Sequence, residues 1–148
     1  MTTTRRAEPS ASPATRSDRV AAHALFAADV IVVLLFVLIG RSAHHHALSW
    51  RGMASTTWPF GVGVLVGWAW VLARGPRGAS LSSGIVVWLT TVGAGMVLRV
   101  VSGQGTAVAF IAVALGFLGT LMLSLRLLAK LLVARWARAT QKNTAQRS

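Results

Sequence analysis

Asp29 is the residue around which any chemistry in this 148-residue chain has to be sought. Only Glu8, Asp18 and Asp29 are acidic, against 15 Lys and Arg, and of the three only Asp29 interrupts an apolar run, Ala21–Gly40 (AAHALFAADVIVVLLFVLIG). A carboxylate placed in lipid costs roughly 2.5 to 3.5 kcal/mol on insertion scales, so it has to face other helices, a partner or a water cavity. Arg41, Arg99 and Arg126 stand in or at the ends of apolar stretches, and Gln104 lies in the connector Ser102-Gly103-Gln104-Gly105. Asp29, Arg41, Arg99, Gln104 and Arg126 are therefore the candidate intramembrane polar groups. They suit three kinds of chemistry: a hydrogen-bonded or ion-paired lock between helices, a protonatable carboxylate lining a transport pathway, or acid–base catalysis.

Catalysis is the weakest of the three. Asp29 has no second carboxylate near it, the chain has no cysteine, and no His-Glu-x-x-His spacing occurs, so no catalytic residue is assigned and no enzyme is expected. His44, His45 and His46 are consecutive, and consecutive side chains point in different directions on a helix or strand; a solvated loop is the simpler reading than a metal site. His23 reads as an interfacial histidine. The Gly103-Gln104-Gly105 loop lacks the preceding strand and the following Lys-Ser/Thr of a phosphate loop, so it reads as a turn. No metal and no cofactor is implied.

The elements that must position these groups are membrane helices. At 54% hydrophobic residues and mean hydropathy +0.62, the chain is too apolar for an ordinary soluble domain. About 20 apolar residues make a helix long enough to cross the hydrocarbon core. The expected fold is all-α, an integral membrane bundle of four transmembrane helices at about residues 21–40, 58–73, 83–101 and 107–128. Residues 1–20 are expected to be a disordered tail, 21–133 the membrane domain and 134–148 a basic tail, with the last helix continuing amphipathically toward Trp136. Arg41–Thr57 is read as a polar connector, with Pro59 in the first turn of the second helix and Thr106 as N-cap of the fourth. Trp50, Trp58, Trp68 and Trp70 suit the interfacial belts. Gly63 and Gly67 in a small-x-x-x-small spacing, with Gly93, Gly95, Gly116 and Gly119, are expected at helix contacts, where missing side chains allow close approach.

Charge sets the expected orientation. Four arginines precede the first span, Arg74 and Arg77 separate the second from the third, and six basic residues end the chain, giving 12 on one side against Arg41, Arg51 and Arg99 on the other. Positive charge is retained on the cytoplasmic side, so both termini are expected there, in the cell membrane. The net charge of +12 lies at the ends of apolar runs, which points to anionic lipid at the cytoplasmic face and not to nucleic acid. At 1.5 Å rise per residue, a helix starting at Ala21 puts Asp29 roughly 12 Å deep, level with Thr90 and Thr91. Arg126 lies nearer the cytoplasmic surface and Arg99 nearer the opposite one, each roughly 10 Å off, and a later start of the first helix favours Arg126.

The pattern resembles a known family. Ala28-Asp29-Val30 leading to Phe36-Val37-Leu38-Ile39-Gly40-Arg41 and His44, Trp58-Pro59-Phe60, Gly67-Trp68, Gly84-x-x-x-Trp88, Gly95-Met96-x-Leu98-Arg99 and Gly103-Gln104-Gly105-Thr106-Ala107-x-x-Phe110 are similar to domain of unknown function family 3054. Its members are small four-helix bacterial membrane proteins, seen largely in actinobacteria. The resemblance covers about Leu25–Leu128 and implies the fold without an activity. The leading functional expectation is a structural or accessory membrane component, possible also as a homo-oligomer. The alternative is a small homo-oligomeric transporter or proton-coupled permease that uses Asp29.

Overall fold

The structure is a computed structural model that describes residues 16–43, 49–74 and 80–145. Four helices make up the described chain: α1 (Arg16–Ala43), α2 (Trp50–Ala73), α3 (Leu81–Val101) and α4 (Val108–Ala145). No strand occurs among the described residues. All four helices are long and apolar enough to cross a membrane.

Three helix ends differ from the sequence-based expectation, each because a helix can continue where an apolar run stops. α1 begins at Arg16, so residues 16–20, assigned to the tail, are helical; Asp18 in the first turn suits the positive end of the helix dipole. α2 begins at Trp50, inside what was read as connector. Ser49 caps it, its hydroxyl accepting from the Gly52 N–H at 3.2 Å, while the Ser55 and Thr56 hydroxyls donate to the Gly52 carbonyl. Pro59 consequently sits in the helix interior and not in the first turn, and the Ser55 carbonyl loses its helical donor there. α4 runs on to Ala145 through the expected basic tail, since no Gly or Pro follows Gly119 and Arg, Lys, Ala and Gln are all good helix formers. It starts at Val108, with the Ala107 carbonyl accepting from Ile111, so Thr106 lies outside the cap position. The three histidines 44–46 lie outside the described residues.

Successive helices pack antiparallel, and α1 closes the ring against α4; across the diagonal, α2 and α4 meet through side chains, with the Phe60 and Phe110 rings 6.2 Å apart. The register is read from matched levels. Phe36 meets Phe110 and Phe117, Asp29 meets Arg126, and Ala21 to Leu25 face Ala129 to Ala134. The start of α1 and the far end of α4 therefore share one end of the bundle. Phe36 anchors the core, with its ring 5.5 Å from Phe60 edge to face and 5.7 Å from both Phe110 and Phe117. The outward face is as apolar as the core, with Ile31, Leu35, Leu65, Leu89 and Val113 all exposed, which is the pattern a lipid-facing bundle needs.

Glycine decides how closely the helices approach. A Cβ on Gly63 would lie 2.7 Å from Thr91 Cα, and one on Gly67 would lie 2.9 Å from Val87 Cα, so α2 and α3 meet backbone to backbone. Gly95 receives the Phe60 ring and Gly119 the Trp88 indole, at 2.6 Å from where a Cβ would stand in each case. Gly93 and Gly116 differ from the expectation: both face outward with nothing within 4 Å. Gly93 is two residues from Gly95, about 200° around the helix, so the two cannot serve one contact. Gly116 opens instead onto a cleft of about 550 Å³ between α3 and α4.

Candidate functional site

Among the described residues, the buried charged layer of the bundle draws on every helix. On α1, Leu25, Asp29, Val32 and Phe36 recur at helical spacing and are all buried, so the carboxylate is carried on the inward stripe. On α4, Ala114, Leu118, Met122 and Arg126 recur every four residues and all are buried, which aims the guanidinium at the same axis. Phe60, Val64 and Trp68 do the same on α2.

Both oxygens of the Asp29 carboxylate are engaged. Arg126 Nη1 donates to Asp29 Oδ1 at 2.9 Å and Nη2 to Oδ2 at 2.7 Å, the two-pronged match of guanidinium to carboxylate. Trp68 Nε1 donates to Oδ2 at 2.9 Å, and Arg126 Nη1 also reaches the Met122 carbonyl at 3.1 Å. Both charged residues have 0% exposure. Phe26 stands edge-on to Trp68 at 5.9 Å and holds the indole in place. α3 contributes an absence of side chain: a Cβ on Gly84 would lie 2.8 Å from Arg126 Nε, so only glycine leaves the guanidinium its room. That Nε is buried and has no acceptor.

The other candidates form a separate layer at the opposite end of the bundle. Arg99 Nη1 donates to Gln104 Oε1 at 3.1 Å and Nη2 to the Gly105 carbonyl at 3.3 Å, and its guanidinium carbon lies 4.6 Å from the centre of the Phe110 ring. Gly103 and Gly105 take φ of 73° and 67°, the left-handed conformation this turn requires. Arg41 Nη1 donates to Thr56 Oγ1 at 3.3 Å. Of the two arginines weighed against Asp29, the structure brings Arg126 to it and keeps Arg99 away. Thr90 and Thr91 do not reach the carboxylate, because their hydroxyls donate back to the Val86 and Val87 carbonyls.

Sequence reasoning missed two members of the layer. Trp68 was placed in an interfacial belt but is 3% exposed and serves as the third donor to Asp29. Its spacing from Phe60 and Val64 was the available signal. Trp70, about 200° further round the helix, is the exposed one, with Arg74 over its ring at 4.1 Å. Gly84 carried no signal beyond its place in the family pattern.

A family match spans residues 26–129, from the turn before Asp29 to the turn after Arg126. The chain belongs to the family described as Protein of unknown function (DUF3054). The matched stretch holds Asp29, Trp68, Gly84 and Arg126 together, so the whole buried layer falls inside the DUF3054 region. No curated protein and no solved structure matches the chain.

Asp29 accepts three hydrogen bonds from within the bundle and has no exposed surface.

Proposed function

We propose that this DUF3054 protein is a structural or accessory component of the cell membrane, with both termini in the cytoplasm. The carrying observation is the sealed Asp29–Arg126–Trp68 cluster, which joins the first helix to the last and to the second. A charged α1 alone in lipid is unfavourable, and so is a charged α4; together they are an electrically neutral unit. The pair therefore acts as a register lock that makes closure of the four-helix ring conditional on correct pairing. The full burial of Asp29 weighs against the transport alternative. The asymmetry of 12 basic residues against 3 supports the orientation.

Two experiments test this reading. Asp29→Asn keeps shape and removes charge; a marked fall in folded yield and melting temperature in detergent supports the lock. Equal or greater stability, followed by pH-dependent flux in liposomes, would overturn it. For the orientation, cysteines introduced singly at Ala47 and Gln146 have no native thiol background, and reaction of position 146 with an impermeant reagent outside intact cells refutes it.

A further inference from the structure

A second feature lies between α1 and α4, at the end of the bundle shared by the start of α1 and the extension of α4. Ala21 and Ala24 face Ala129 and Ala134 across a cleft of about 600 Å³, whose remaining wall is apolar except for Ser80 and Lys130. The alanines open it, since one turn deeper the same faces are filled by the Asp29 and Arg126 side chains. The Ser80 hydroxyl is engaged with Ser82 and Ser83 at the head of α3. Among the described residues, Lys130 is the only charge in the wall.

Lys130 stands at a telling depth. The apolar part of α4 ends at Arg135, which leaves the Lys130 backbone about 7 Å inside that limit. It is exposed and forms no ion pair with either described carboxylate, Asp18 or Asp29. The surrounding end of the bundle is cationic, with Arg19, Arg135 and Arg138 exposed, and Asp18 there already has a partner.

We propose that this cleft binds one anionic phospholipid, with an acyl chain along the alanine-lined wall and the phosphate on Lys130. Charge complementarity selects the occupant. A zwitterionic lipid offers the lysine no net counter-charge, and a soluble anion would leave the apolar walls uncovered. The cleft draws on residues before 26 and after 129 more than on the family-matched stretch, so it belongs to the flanks of this chain and does not depend on the role given to Asp29.

The test is native mass spectrometry of the full chain in detergent, titrated with phosphatidylglycerol or phosphatidylcholine. One phosphatidylglycerol should be retained per chain in preference to phosphatidylcholine. Lys130→Gln should lower its occupancy roughly fivefold, the factor expected for one interfacial cation. Ala24→Leu with Ala134→Leu fills the cleft, keeps every charge, and should lower occupancy comparably. Arg19→Gln, on the opposite side of α1, should leave it unchanged. Equal losses for Arg19→Gln and Lys130→Gln, or no effect of filling the cleft, overturn the proposal in favour of diffuse attraction. Should the filled variant fail to fold, the wild-type chain still decides: phosphatidylglycerol should slow acylation of Lys130, while phosphatidylcholine and inorganic phosphate should not, and equal rates refute the site. Loss of the Asp29 lock registers as a lowered melting temperature even in lipid-free detergent, whereas loss of this site registers as lowered phosphatidylglycerol occupancy with the melting temperature in lipid-free detergent unchanged.

Discussion

Arg126 and Arg99 carry the same guanidinium on neighbouring helices and solve the same problem in opposite ways. Arg126, inside the bundle, is matched by a full negative charge on Asp29 and sealed by Trp68. Arg99, near the other end, meets only dipoles and a ring: the Gln104 amide oxygen, the Gly105 carbonyl and the Phe110 face. The difference is one of access to polar surroundings. A cation enclosed among four apolar helices has no water to spread its field into, so nothing short of a counter-ion suffices. A partly exposed cation at a helix end retains part of its hydration, and neutral acceptors meet its two terminal nitrogens while its Nε stays buried without a partner. Both groups also depend on glycine, at Gly84 for room beside the guanidinium and at Gly103 and Gly105 for the turn that delivers the acceptors.

The largest effect should come from breaking the inner pair. Arg126→Met or Asp29→Asn strands one buried charge and should cost about 3 to 5 kcal/mol, measured as the shift in unfolding in detergent. The double variant Asp29→Leu with Arg126→Met removes both charges and should lie nearer the wild type than either single variant. If the double variant loses the sum of the two single losses, the charges are not coupled and the lock fails.

Next comes the space around the pair. Gly84→Ala presses a methyl group onto Arg126 and should cost about 1 to 3 kcal/mol, as overpacked cores do. Gly67→Leu, against the α3 backbone, should lower folded yield at least as much, and an unchanged melting profile would contradict the close contact. At the outer layer, Arg99→Gln should cost only about 1 kcal/mol, since it removes hydrogen bonds to neutral acceptors at a partly exposed position. A loss as large as that of Arg126→Met would erase the distinction between the layers. The smallest loss belongs to Gly93→Ala, which meets open space and should cost nothing, with a gain of up to about 1 kcal/mol from the better helix former in the detergent-solubilised chain.

Much of the architecture was legible beforehand because hydropathy and length are properties of contiguous residues. Four apolar runs, the connectors between them and the isolated carboxylate in the first are all visible in one dimension, and the helix count follows from them. The ends of the helices were less legible, since Arg16–Val20 and the stretch after Val133 are polar and yet helical; propensity continues after the lipid signal stops. Glycine spacing located Gly63 and Gly67 at a contact but misplaced Gly93 and Gly116, because spacing defines a shared face without saying which face meets a neighbour.

What the sequence by itself determined is that Asp29 must face other helices, a partner or a water cavity and not lipid, since a carboxylate in an apolar run is costly there. The tertiary structure decided which. The choice of Arg126 over Arg99, the conversion of Trp68 from presumed belt residue to hydrogen-bond donor, and the need for Gly84 all depend on how far α1 and α4 slide past each other. Each turn of sliding moves a side chain about 5.4 Å, more than the reach of a hydrogen bond, and only the packing of all four helices fixes that register.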